Sequence, residues 1–117
     1  MKRFSDIRKV DVGIGRLDCD LVYLNEDGDQ VGSMLLVYES DCAKVFSLEV
    51  LSAHRGKGYG RRLMEAAIAH ARSKGLTLIE LNTEKDNVAA NRLYESLGFG
   101  LAGEKFGFNN YVLPLSQ

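Results

Sequence analysis

The sequence predicts a mixed α+β domain: a central mixed sheet of about six to seven strands, an antiparallel meander followed by a β-α-β crossover, with two main helices. Three observations carry the prediction. The first half is a series of short β-rich runs separated by polar breaks, one of which contains Asp27-Gly28, a strong hairpin signal. After Gly58 the apolar period lengthens, with Leu63, Ala66, Ala67 and Ala71 at helical spacing. An apolar run at 76–81, enriched in Thr and Ile, separates this helix from a second one.

In chain order, residues 7–14 carry Ile7, Val10, Val12 and Ile14 at alternate or near-alternate places, which predicts a strand. Runs at 19–24 and 31–38 flank the segment Asn25-Glu26-Asp27-Gly28-Asp29 and predict a hairpin. A second break at Ser40-Asp41 leads into a strand at 44–51. A helix follows over 58–73, and Gly75 supplies its stop. The strand at 76–81 comes next. A second helix over 87–97 has Ala90, Leu93, Tyr94 and Leu97 on one stripe, Gly98 at its end and Phe99 placed for a hydrophobic capping contact. Short strands at 99–102 and 106–113 complete a single domain, residues 1–117, without repeat or linker. The crossover from 44 to 81 makes its two strands parallel and its hand right. Ligands of such units sit beyond the carboxyl end of the first strand, where the helix begins.

Composition is that of a globular protein: 117 residues, 45% hydrophobic and 26% charged, enough for one core and too few for two. A net charge of -1 gives no global field toward nucleic acid or an anionic membrane. Cys19 and Cys42 form neither a CxxC pair nor a zinc-ligand spacing, so no metal is expected. They read as buried, reduced thiols, and a cytoplasmic location follows. The start, Met1-Lys2-Arg3-Phe4-Ser5-Asp6, lacks the apolar core of a signal peptide. No apolar run approaches the roughly 20 residues of a membrane span.

The chemistry concentrates in Arg55-Gly56-Lys57-Gly58-Tyr59-Gly60-Arg61-Arg62, which joins a strand to a helix. Alternate glycines let the backbone turn tightly and bring its N–H groups to a ligand, at the positive end of a helix dipole. With the flanking Arg and Lys, a pyrophosphate is the natural guest. Lys57 is followed by Gly58 rather than Ser or Thr, so this is not a P-loop. Arg61 stands where a dinucleotide fingerprint starting at Gly56 needs glycine. Arg55-x-x-Gly58-x-Gly60 instead resembles the Q/R-x-x-G-x-G/A signature of the GNAT superfamily of N-acetyltransferases. A second segment, Asn87-x-x-Ala90-x-x-Leu93-Tyr94-x-x-x-Gly98-Phe99, is similar to that family's N-x-x-A-x-x-L-Y-x-x-x-G-F.

The resemblance implies a GNAT-like fold, acetyl-CoA as cosubstrate and a primary amine as acceptor. Loop residues Arg55 to Arg61, counting Gly56, Lys57, Gly58, Tyr59 and Gly60, would hold the coenzyme's pyrophosphate. The main chain at Leu48 and Val50 would bond the pantetheine arm, and Asn87 would contact the coenzyme. Tyr94 would protonate the departing thiolate, and a β-bulge would aim a backbone N–H near 48–51 at the thioester carbonyl. Two plainer roles stand beside these: Asn87 as helix N-cap and Tyr94 as a packing residue. Glu49 is the candidate base that deprotonates the amine, with His54 or an ordered water as alternatives and an exposed strand-face carboxylate as its plain reading. Glu80 and Asn82 are candidates to line the acceptor site, and His70 reads as a surface or partly buried helix residue. Family members carry two helices ahead of the hairpin, whereas here 1–18 hold mainly the predicted first strand. An open acceptor groove is expected, suited to a protein lysine or N-terminal amine, and the exposed sheet edge suits a homodimer. The competing class is a non-catalytic coenzyme-binding or protein-interaction module.

Overall fold

A computed structural model describes residues 10–16 and 19–115. The strands are β1 (Val10–Arg16), β2 (Asp20–Glu26), β3 (Asp29–Glu39), β4 (Cys42–Val50), β5 (Leu78–Glu84), β6 (Gly100–Lys105) and β7 (Phe108–Pro114). The helices are α1 (Tyr59–Ser73) and α2 (Val88–Ser96), with a 3-10 turn at Ser52–His54. The sheet runs β1-β2-β3-β4-β5-β7-β6, with β4 and β5 parallel and the other neighbours antiparallel. This is the predicted mixed architecture. The start of the first predicted strand, 7–9, lies outside the described residues.

The hairpin β2–β3 closes on Asp27-Gly28, both at positive φ, as the dipeptide demands. Both helices end in the same motif. The Gly75 and Leu76 amides donate to the carbonyls of Arg72 and Ala71, and those of Gly98 and Phe99 to Glu95 and Tyr94. Gly75 and Gly98 take the positive φ this closure requires. Leu76 is therefore spent on the helix cap, and β5 begins at Leu78, two residues after the sequence start. It also runs on through the polar Asn82, Thr83 and Glu84, because each finds a ladder partner on β7.

Alternation sorts the sheet into two faces. Val22, Leu24, Met34, Leu36, Ala43, Ile79 and Leu81 are buried on one face under Leu63, Met64, Ala67 and Ala71 of α1. Tyr94 of α2 packs on the same face, its ring centroid 5.9 Å from that of Tyr111. Leu35, Phe46, Lys44, Glu80, Asn82 and Asn110 point to the opposite face, which neither helix covers. No helix of the described residues is long and apolar enough to cross a membrane.

Candidate active site

Strands β4 and β5 pair only at Cys42↔Leu78, Ala43↔Ile79 and Lys44↔Glu80. Beyond that point they part. Between Val45–Val50 on one side and Leu81–Glu84 on the other lies a cleft of about 740 Å³. It passes through the sheet, because its lining includes Leu81 and Thr83 from the helix face of β5 and Asn82 and Glu84 from the opposite face. The β4 backbone along it lacks a β5 partner, so an extended amide-bearing chain could pair there as a strand would.

A bulge shapes the β4 wall. Ser33 pairs with Glu49 and Leu35 with Phe46, so Met34 faces both Ser47 and Leu48. Ser47 sits at φ 55, a left-handed conformation uncommon for a residue with a Cβ. Leu48, Glu49 and Val50 follow directly and all line the cleft. Glu49 is exposed there, open to water and to any amine in the cleft.

The glycine loop meets the cleft at α1. Gly58 is the N-cap, at φ 78, and the first intrahelical bond runs from the Arg62 amide to its carbonyl. The amides of the first turn thus have no earlier turn to bond. A Cβ at Gly56 or Gly58 would meet no atom within 4 Å, so both glycines serve backbone conformation and leave their surroundings open. Arg55 and Gly60 line the cleft. The Arg55 Nε also donates to the Val50 carbonyl at 2.9 Å, fastening the loop to the end of β4.

The neighbouring side chains serve the loop differently. Tyr59 is buried in the core, so its side chain packs rather than faces the loop's opening. Lys57 pairs with the buried carboxylate of Glu26 at 3.5 Å, and His54 Nδ1 lies 2.6 Å from the same group. Arg61 donates to Ser96 Oγ at 2.6 Å, tying α1 to α2. Of the two candidate bases, Glu49 lines the cleft and His54 does not. Glu80 pairs with Lys44 at 3.4 Å and is likewise outside the cleft lining, whereas Asn82 is in it.

Helix α2 supplies the far wall. Asn87 caps it, its Oδ1 accepting from the Ala90 amide at 3.2 Å, and the same residue lines the cleft. Tyr94 lies two turns on, 6% exposed, and also faces the cleft. Its ring stacks edge-on against Phe99, centroids 6.0 Å apart, so packing and access coexist. Burial pushes its hydroxyl above the ordinary phenol value of 10.0, which keeps it a proton donor.

Two contributors escaped the sequence reading. Asn91 is buried, donates to the Asn87 carbonyl at 2.7 Å and the Glu84 carbonyl at 3.0 Å, and accepts from Tyr111 Oη at 2.7 Å. It binds the end of β5 to α2 and β7. Its signal was a polar residue one turn after Asn87, on the same helix face as Tyr94. Glu26 holds the glycine loop from a hairpin distant in sequence, and no local pattern announces that. The thiols also differ from expectation: Cys19 and Cys42 are free but half-buried, at a strand start rather than in the core.

The chain matches the model of the Acetyltransferase (GNAT) family over residues 6–99. Mycothiol acetyltransferase from Thermobispora bispora is 48% identical over 56 residues, which cover 48% of this chain and 19% of that protein. The chain thus spans under a fifth of that curated relative. Among solved structures, the ribosomal-protein-S18-alanine N-acetyltransferase from Escherichia coli superposes with a TM-score of 0.79 at 26% identity, covering 88% of this chain and 73% of that one. The protein yncA from Salmonella typhimurium, solved with its cofactor acetyl-CoA, gives 0.72 at 29% identity, covering 85% and 66%.

Proposed function

Because the chain belongs to the acetyltransferase (GNAT) family, we propose that it moves an acetyl group from acetyl-CoA to a primary amine by direct attack in a ternary complex. The observation that carries this reading is the cleft through the sheet, with the α1 N-terminus at its helix-face end and Tyr94 in its wall. Bound acetyl-CoA would supply a thioester carbonyl and a thiolate leaving group.

The residues of this chain would then divide the work. First-turn amides of α1 and the Arg55 guanidinium attract an anionic head to the helix-face mouth. The β4 backbone at Leu48 and Val50, which has no β5 partner, orients an amide-bearing arm between the strands. A backbone N–H released by the bulge at Ser47 and Leu48 stabilises a developing oxyanion, a contribution of about 3 kcal/mol for one well-placed donor. Tyr94 gives its phenolic proton to the departing sulfur. Glu49, directly or through water, takes the proton of the attacking amine.

The uncovered face of the sheet, where Asn82 and Phe108 lie, is the route for the acceptor. A lysine or N-terminal amine of a protein suits an opening of that kind, and the name of the E. coli neighbour assigns such an acceptor to that enzyme. We place the protein in the cytoplasm, where its free thiols stay reduced. Strand β6, exposed along its whole length at the sheet edge, is the surface offered to a homodimer.

The test is release of free CoA thiol from acetyl-CoA on addition of amines, with the Tyr94→Phe variant alongside. The expected result is amine-dependent thiol release that falls at least tenfold in kcat in the variant, with coenzyme affinity nearly unchanged. Coenzyme binding without turnover for any amine or protein acceptor would identify a binding module instead.

A further inference from the structure

Hairpin β6–β7 turns through two residues, Phe106-Gly107, both at positive φ (53 and 82). The β2–β3 hairpin makes the same kind of turn with Asp27-Gly28, a dipeptide suited to it. Phenylalanine is not: a bulky side chain in the left-handed region is an outlier that the backbone resists. Core packing does not explain it, since Phe106 is 88% exposed. The Lys105 ammonium lies 5.3 Å from the ring centroid, a contact any exposed aromatic could make. Nor is the tip loose, because the Lys85 amide donates to the Gly107 carbonyl at 3.0 Å. A strained, exposed aromatic on an anchored turn points to a ligand.

The surroundings say which. Phe106 and Phe108 line a second cavity of about 640 Å³ on the uncovered face, together with Asn82, Asn110 and Glu104. Asn82 and Phe108 also line the cleft, so the two spaces adjoin across these side chains. The Asn110 Nδ2 donates to Asn82 Oδ1 at 2.9 Å, which leaves the Asn82 amide N–H groups and the Asn110 oxygen for a guest. The exposed Glu49 carboxylate in the cleft suits a cationic ammonium before deprotonation, whereas Glu104 is engaged by Lys85 at 2.7 Å. An occupant of this cavity would reach the cleft from the side opposite α1.

We propose that the cavity under Phe106 and Phe108 is the acceptor subsite, and that it selects primary amines bearing an aromatic group next to the amine. This rests on the acetyltransferase reading above and names its substrate class. Such an amine could be free or the N-terminus of a peptide, and both present the same chemistry to the two phenyl rings.

The experiment measures kcat/KM with acetyl-CoA for two pairs: 2-phenylethylamine against ethanolamine, and the peptide amide Phe-Gly-Gly against Gly-Gly-Gly. Phe106→Asn is the informative variant, because Asn suits the turn better and keeps the hairpin formed. The expected result is a preference of about tenfold or more for the aromatic member of at least one pair, carried mainly by KM. Phe106→Asn should collapse that ratio while coenzyme affinity and melting temperature do not fall. The pair that shows the effect identifies the source. An unchanged ratio in the variant, or no aromatic preference in a protein that binds acetyl-CoA, overturns the proposal. Absence of coenzyme binding overturns the acetyltransferase reading itself.

Discussion

Tyr94 carries two demands that a single side chain can meet: its ring packs against Phe99 and Tyr111 while the residue still borders the cleft. Burial disfavours the phenolate and raises the pKa. The donor form therefore persists to a pH above 10.0, and any alkaline loss of kcat below that value comes from another group. The pH profiles of kcat for the wild type and Tyr94→Phe should thus keep the same shape below pH 10 and differ in height; a limb near pH 8 lost only in the variant would contradict the assignment. At this scale the local motifs picked out Arg55, Asn87 and Tyr94, which the fold brings to one cleft. The sequence was silent on Glu26 and Asn91. Their partners, His54 with Lys57 and Tyr111, come from other elements. Only the folded sheet creates those environments.

Helix termini decide the element scale. Gly58 and Gly60 look equivalent in the sequence, yet only Gly58 has positive φ, while a Cβ at Gly60 would meet Leu93 Cδ2 at an ordinary 3.6 Å. Gly58→Ala should cost about 1 kcal/mol in chemical denaturation, and Gly60→Ala should leave stability unchanged or slightly raised by helix propensity. Equal losses at both would show that the loop is not built this way. The other end of α1 is held by Asp20, 6% exposed, which accepts from Tyr38 Oη at 2.5 Å and lies 2.8 Å from His70 Nε2. His70, read as a surface or partly buried residue, is thus a half-buried partner of this carboxylate. The Tyr38 hydrogen bond, with help from His70 and Lys74, holds the Asp20 pKa below 3.8 despite its burial. A carboxylate whose folded pKa is depressed adds stability above its unfolded pKa and loses it as pH falls through the folded value. Asp20→Asn should accordingly cost about 2 kcal/mol at neutral pH, and the difference from wild type should shrink below pH 4.

At the scale of the whole molecule, strand order and the parting of β4 from β5 create the site. The sequence specified the meander, the crossover and both helices, because periodicity and Gly-based stops are local signals. The resemblance implied a bulge near 48–51, which lies at Ser47 and Leu48, but periodicity placed neither that bulge, nor the extension of β5 through Asn82–Glu84, nor the turn at Phe106-Gly107. Each of these is imposed by strand pairing against the local preference of its residues. With both helices on one face and the cleft open to both, the proposed function has the coenzyme and the acceptor approach from opposite sides. The central claim is that the α1 N-terminus and the parted strands hold the coenzyme. Calorimetric titration of acetyl-CoA and CoA into the wild type and into Gly58→Glu and Gly60→Glu tests it most directly. The account predicts micromolar binding to the wild type, lost in both variants, in which a carboxylate confronts the pyrophosphate. No heat of binding to a folded wild-type protein at millimolar coenzyme would contradict it.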